Sequence, residues 1–297
     1  MQVTFWGTRG SIAAPGSKTV RYGGNTSCVE VRSNSGTLII CDSGTGIREL
    51  GLDLLARAKQ VHAHLLLSHT HWDHIQGWPF FVPAFVPGNE FTIHALAGVN
   101  QSLERVLASQ MEYQYFPVTL SAMNARIDFH EVREGEFAAE DVQIVAQFLN
   151  HTTLCMGYRI SADGRTVAYV TDTEPHGLQL EPGKVEVRAD KGRQPRLIHQ
   201  EDRRLADFIA GADLVIMDGQ YTDEEYPNKV GWGHATTGYA TDVAVFGKAS
   251  RLALFHHDPT RADRGVDEIV SLARQRAARY GCAVEIFGAQ EGVTIHL

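Results

Sequence analysis

No C-x-x-C pair occurs in the 297 residues, and the four cysteines, Cys28, Cys41, Cys155 and Cys282, stand far apart. That excludes a zinc knuckle and a disulfide framework, fits a reducing compartment, and makes Cys41 and Cys155 small buried hydrophobes in preference to nucleophiles. Apolar runs of membrane-spanning length are missing. The start, Met1-Gln2-Val3-Thr4-Phe5-Trp6, alternates like a strand and lacks the features of a signal peptide. A soluble, cytoplasmic protein without a membrane partner is expected. A basic excess is missing too: 27 Lys and Arg face 35 Asp and Glu, for a formal net charge of −8. Such a chain is poorly suited to gripping long nucleic acid by phosphate neutralisation. No tandem repeat or low-complexity tract appears.

What is present is enough apolar residue, 43% of the chain, for one large core or two modest ones. The simplest organisation is a single α/β domain over residues 1–297, with allowance for an insertion at 176–204. Within that stretch, residues 181–204 carry seven basic side chains (Lys184, Arg188, Lys191, Arg193, Arg196, Arg203, Arg204) against five acidic ones. A solvated surface insertion is the preferred account of them, and a substrate-gripping arm the alternative.

The most informative segment is His69-Thr70-His71-Trp72-Asp73-His74, three imidazoles and a carboxylate directly after the apolar run His64 to Leu67. A strand that stops at such side chains places them at its carboxyl edge, where open α/β sheets bind ligands. His69 and His71 are expected to reach one metal ion, Asp73 and His74 a second. Two ions need further ligands, and other strand ends offer them: His151 after Val142 to Leu149, Asp172 after Val167 to Thr171, and His256 after Leu252 to Phe255. His69, His71 and His151 would hold the first ion, Asp73, His74 and His256 the second, with Asp172 bridging them beside a water-derived hydroxide. His257 competes with His256, which is preferred because it follows its strand directly. Two dications outweigh these carboxylates, so the site attracts anions although the chain as a whole is acidic.

Around these ligands the pattern alternates strands and helices. Strands are predicted at Val3 to Trp6, Cys28 to Arg32, Thr37 to Cys41, Phe91 to His94, Tyr158 to Ser161, Leu214 to Met217 and Val284 to Phe287. Helices are predicted at Gly46 to Lys59, Val99 to Met111, Asp202 to Ala210, Tyr239 to Phe246 and Asp263 to Arg279. Two halves, each a sheet with outer helices, would pack face to face.

In order and across essentially the whole chain, this His69-x-His71-x-Asp73-His74 signature with His151, Asp172 and His256 resembles the metallo-β-lactamase superfamily. The resemblance implies an αβ/βα four-layer sandwich of two mixed sheets with outer helices. Phe5 to Ser11, Gly23 to Cys28 and the turn Cys41 to Gly46 are similar to its ribonuclease Z-like and cyclic-phosphodiesterase-like branch. By that resemblance Asp42 orients a ligand imidazole. Gly233-His234-Ala235-Thr236-Thr237 resembles that branch's glycine-histidine-small-threonine motif, which makes His234 the group that stabilises phosphoryl oxygens or protonates the leaving oxygen. Asp218 stands where the branch has a glutamate paired to this histidine, one methylene shorter. The branch's long glycine-rich arm for transfer RNA has no clear counterpart.

The implied activity is binuclear hydrolysis of a small or cyclic nucleotide phosphodiester by a metal-bridging hydroxide, with Asp73 and His234 catalytic. The expected cofactors are two divalent ions, zinc first on its preference for imidazoles, with manganese or iron as alternatives. The expected partner is a small anionic phosphodiester, with no long nucleic acid; a homodimer is left open. A thioesterase or lactonase on the same site, ribonuclease Z-like RNA processing, and a nucleotide-binding sensor are the rival readings. Tyr113, Tyr115 and Phe116 are read equally as a base-stacking surface or as core.

Overall fold

A computed structural model of the chain describes residues 1–96, 102–176 and 199–297. It contains two seven-stranded sheets. The first runs in the order β14 (Thr294–His296), β1 (Gln2–Gly7), β2 (Cys28–Arg32), β3 (Leu38–Cys41), β4 (His62–Leu66), β5 (Glu90–Leu96), β6 (Arg126–Val132). The second runs β13 (Glu285–Gly288), β12 (Arg251–Phe255), β11 (Leu214–Asp218), β10 (Arg165–Val170), β9 (Cys155–Ala162), β8 (Val142–Leu149), β7 (Gly135–Ala139). In each sheet the pairing changes from antiparallel to parallel partway across, at β3–β4 in the first and β10–β11 in the second.

Strand alternation builds four layers. In β3, Ile39 and Cys41 face the second sheet, while Leu38 and Ile40 face the helix Ile47–Arg57 on the outside. In β11, Leu214 and Ile216 point inward, and Val215 and Met217 meet the helices Gln200–Phe208, Thr237–Phe246 and Asp263–Arg279. A strand covered on both faces must be apolar throughout, and these central strands are the ones the sequence shows most clearly. The result is the expected αβ/βα sandwich. Among the described residues no helix is long and apolar enough to cross a membrane.

The sequence pattern passed over β6, β7 and β14, and began β9 late. The three missed strands are edges of their sheets, and the longest alternates apolar with polar or charged residues, Arg126-Ile127-Asp128-Phe129-His130-Glu131-Val132. Edge strands bury little, so their hydrophobic signal is weak. The predicted helix from Val99 begins partly outside the described residues, and its described part is Leu103–Ser109. Most of the basic stretch 181–204 also lies outside them; Arg204 pairs with Glu134 at 2.8 Å.

Three histidines gather where β4, β5 and β6 meet. His64 Nδ1 lies 3.1 Å from His94 Nε2, and the rings of His94 and His130 are 5.4 Å apart. Burial, with lesser repulsion from His64 and His130, pushes His94 down to about 4. Its pKa is therefore lower folded than unfolded, so the unfolded chain takes up the proton first and stability falls as pH drops from about 6.5 towards 4. His94→Phe, stacked on Phe137, is expected to lose less stability than the parent between pH 7 and pH 5 in urea denaturation. Equal losses would show that His94 contributes nothing to the acid sensitivity.

Candidate metal centre

The carboxyl ends of β3, β4, β8, β10, β11 and β12 open onto one edge, and each delivers polar side chains there. Asp42 follows β3, His69 to His74 follow β4, and His151 follows β8. Asp172 follows β10, Asp218 ends β11, and His256 follows β12. Three of these residues adopt positive φ: Asp42 at 60°, Asp172 at 24° and His256 at 57°. Side chains other than glycine rarely accept such a backbone unless the surroundings impose it.

The donors fall into two groups with a shared member. His69, His71, His151 and Asp172 form one; Asp73, His74, Asp172 and His256 form the other. Within each, the donor atoms lie within 4.8 Å of one another. Asp172 Oδ2 is 3.5 Å from His69 Nε2 and 3.6 Å from His151 Nε2. Its Oδ1 is 3.2 Å from both His74 Nε2 and His256 Nε2. One carboxylate thus presents an oxygen to each group. Asp73 Oδ2 lies 3.0 Å from His256 Nε2 and accepts the Ser11 backbone N–H at 2.7 Å.

Whether this cluster suits a metal can be decided from its protons. His74 Nδ1–H donates to Asp42 at 2.7 Å, and His151 Nδ1–H donates to the Gly233 carbonyl at 2.8 Å. Neither partner can donate, so in each neutral ring Nε2 carries the lone pair, aimed into the cluster. The Ser68 hydroxyl donates to Asp42 at 2.8 Å and lies 3.0 Å from His69 Nδ1, which leaves His69 Nε2 bare. That atom is buried with no hydrogen-bond partner. Imidazole lone pairs converging on carboxylates are the donor set of a divalent ion.

The electrostatics agree. Burial holds His69 well below the ordinary imidazole range and lowers His71 and His151 as well. Burial pushes Asp172 up, but His256, His74 and His69 outweigh it and hold it well below the usual carboxylate range. Burial likewise lowers His74, yet Asp172, Asp73 and Asp42 raise it well above normal. A proton on His74 thereby compensates the carboxylates, a role that a bound dication would take over, displacing that proton.

Asp42 ties the groups together. Besides His74 and Ser68 it accepts the Tyr169 hydroxyl at 2.7 Å. It orients His74 directly and His69 through Ser68. Glycines make room on two sides. A Cβ on Gly10 would stand 2.3 Å from the His256 ring, and one on Gly233, itself at φ 84°, would stand 2.2 Å from His151 Nδ1.

Asp218, though shorter than glutamate, reaches His234: the Nδ1–H donates to its Oδ2 at 2.9 Å. Burial lowers His234, but Asp218 outweighs it and the imidazole is pushed up to about 9. His234 stacks on His256 at 4.9 Å and lines a cavity of about 450 Å³ with Ser11, Thr70, Trp72, Asp73 and Asp172. His257 turns away, its Nε2–H donating to the Ala289 carbonyl at 2.9 Å. Tyr113 and Tyr115 are exposed, whereas Phe116 packs on the helical layer against Phe80.

Sequence reasoning missed Glu174. It is buried and accepts from the Tyr226 hydroxyl, from Gly231 N–H at 2.7 Å and from Gly233 N–H at 3.0 Å. It thereby fixes the turn whose carbonyl sets the His151 proton and whose next residue is His234. The only sequence signal was a second acid two residues beyond Asp172. Glu174→Gln would turn an amide N–H toward these donors, leaving a buried group unpaired at a cost of about 1–3 kcal/mol. Urea denaturation should show that loss, with weaker metal retention; an unchanged midpoint would remove Glu174 from this role.

A family model described as a beta-lactamase superfamily domain matches residues 37–186. Ribonuclease Z of Haloarcula marismortui is 25% identical over 304 residues, covering 92% of this chain and 91% of that protein. The short form of human tRNase Z aligns with a TM-score of 0.66 at 18% identity, covering 100% of this chain and 99% of the other. A diphosphatase from the PhnP family aligns with a TM-score of 0.65 at 18% identity, covering 100% and 97%. These two solved structures share the fold.

Proposed function

The chain belongs to the beta-lactamase superfamily, and from that membership we propose that it is a metal-dependent hydrolase of a small or cyclic nucleotide phosphodiester. The observation that carries this reading is Asp172, one oxygen toward each histidine group, with the His234–Asp218 pair beside it. The names ribonuclease Z and diphosphatase among its relatives and structural neighbours support phosphate chemistry.

Two divalent ions, zinc by preference, would be held by His69, His71, His151 and Asp172 and by Asp73, His74, Asp172 and His256, and would supply Lewis acidity and an acidified water. The chain's own residues supply the rest. Asp73, ionised and anchored by the Ser11 N–H, presents an oxygen that orients the attacking water. Asp218 holds His234 Nδ1–H, so the opposite nitrogen faces the cavity. As an imidazolium, His234 offsets the phosphoryl charge and gives its Nε2 proton to the departing oxygen. Carbonyl hydrolysis has no evident use for that cation.

The test is a turnover screen on one metal-defined preparation, with bis(p-nitrophenyl) phosphate, 2′,3′- and 3′,5′-cyclic nucleotides, dinucleotides and a transfer RNA precursor. Metal-dependent cleavage of a small phosphodiester is expected. Inertness toward all of them, with hydrolysis of a thioester or lactone, overturns the proposal. The ribonuclease Z relatives favour a second reading, RNA processing, which the precursor arm of the screen separates.

A further inference from the structure

Two tryptophans stand exposed where a soluble protein has reason to bury them. Trp72 is 77% and Trp232 56% exposed. Their positions are related through one imidazole. Trp72 follows His71, whose Nδ1 is 3.1 Å from His151 Nε2; Trp232 precedes Gly233, whose carbonyl takes the His151 Nδ1 proton at 2.8 Å. Both chain segments thus flank His151, and Trp72 itself lines the cavity with His234 and Asp172. Lys229 Nζ lies 3.9 Å from the centre of the Trp232 ring and 5.5 Å from that of Tyr221, whose ring is 6.1 Å from that of His234.

We propose that the rim of this cavity is a nucleobase subsite, in which the base of the substrate stacks on Trp72 while its phosphate lies in the cavity against His234. The proposal rests on the phosphodiesterase reading and narrows it to substrates that carry a base next to the scissile phosphate. A cavity of about 450 Å³ is of a size to take a mononucleotide. Indole faces bind planar heterocycles with little regard to base identity, since every base offers a π-face. An aliphatic or sugar phosphodiester would leave both rings in water.

The experiment uses zinc-loaded protein and calorimetric titration with adenosine 5′-monophosphate and with ribose 5-phosphate, which shares the phosphate and sugar but has no base. The parent should bind the nucleotide at least about tenfold more tightly. Trp72→Ala should remove most of that preference, and Trp72→Phe should keep it, at equal metal content in all three. Equal affinity of the parent for both ligands, or a preference that survives Trp72→Ala, overturns the proposal. Should the protein cleave no phosphodiester yet keep the Trp72-dependent preference, the subsite stands and the activity assignment falls.

Discussion

Asp172→Ala is expected to leave a folded chain that retains neither ion and has no measurable phosphodiester turnover. The carboxylate is the one donor common to both groups, with an oxygen 3.2 Å from His74 Nε2 on one side and 3.5 Å from His69 Nε2 on the other. Of the carboxylates in these two groups its removal leaves Asp73 alone to balance two dications. Loss of a mere orienting partner of a metal ligand costs about 10–100-fold in affinity, so the loss of a shared ligand should exceed that. Metal content after dialysis, read beside circular dichroism, checks it. Two ions retained at parental affinity would show that Asp172 does not bridge.

His234→Ala is expected to act oppositely on the two readouts, keeping the metals while losing turnover. His234 is outside both groups that contain Asp172, though it stacks 4.9 Å from His256. What would disappear is the proposed proton donor, the imidazole held by Asp218, and general acid catalysis of this kind is worth about 10²–10⁴-fold. The loss should appear in kcat and shrink for substrates with good leaving groups such as p-nitrophenolate, which need no proton. Metal lost in parallel with activity would make His234 a ligand: Asp218, His234 and His256 are themselves close enough to form a third donor group.

The geometry of the centre was legible in the sequence wherever a buried strand ran directly into a polar residue. Leu65-Leu66-Leu67 before His69, Tyr169-Val170-Thr171 before Asp172 and Leu254-Phe255 before His256 all have that form, and all converge on one edge. Between adjacent histidines, following the strand directly favoured His256, and the structure turns His257 to the Ala289 carbonyl instead. The supporting residues were not legible. Ser68 and Glu174 act through backbone turns and through atoms distant in sequence, as when Glu174 reaches Gly233 across 59 positions; Gly10 and Gly233 entered only as members of longer motifs, without their packing on His256 and His151. No periodicity encodes such contacts. The edge strands β6 and β7 escaped for a different reason: half their residues face water, so their pattern is that of a loop.

The central claim is that a two-ion centre on this edge hydrolyses a phosphodiester. Its most direct test is to strip the protein with a chelator and titrate zinc back, following bound metal and hydrolysis of a 2′,3′-cyclic nucleotide in the same sample. Two ions per chain are expected, with proton release as they bind and turnover that reaches its full value only when both groups are filled. Full turnover in the chelated protein, or none with two ions bound, would contradict it.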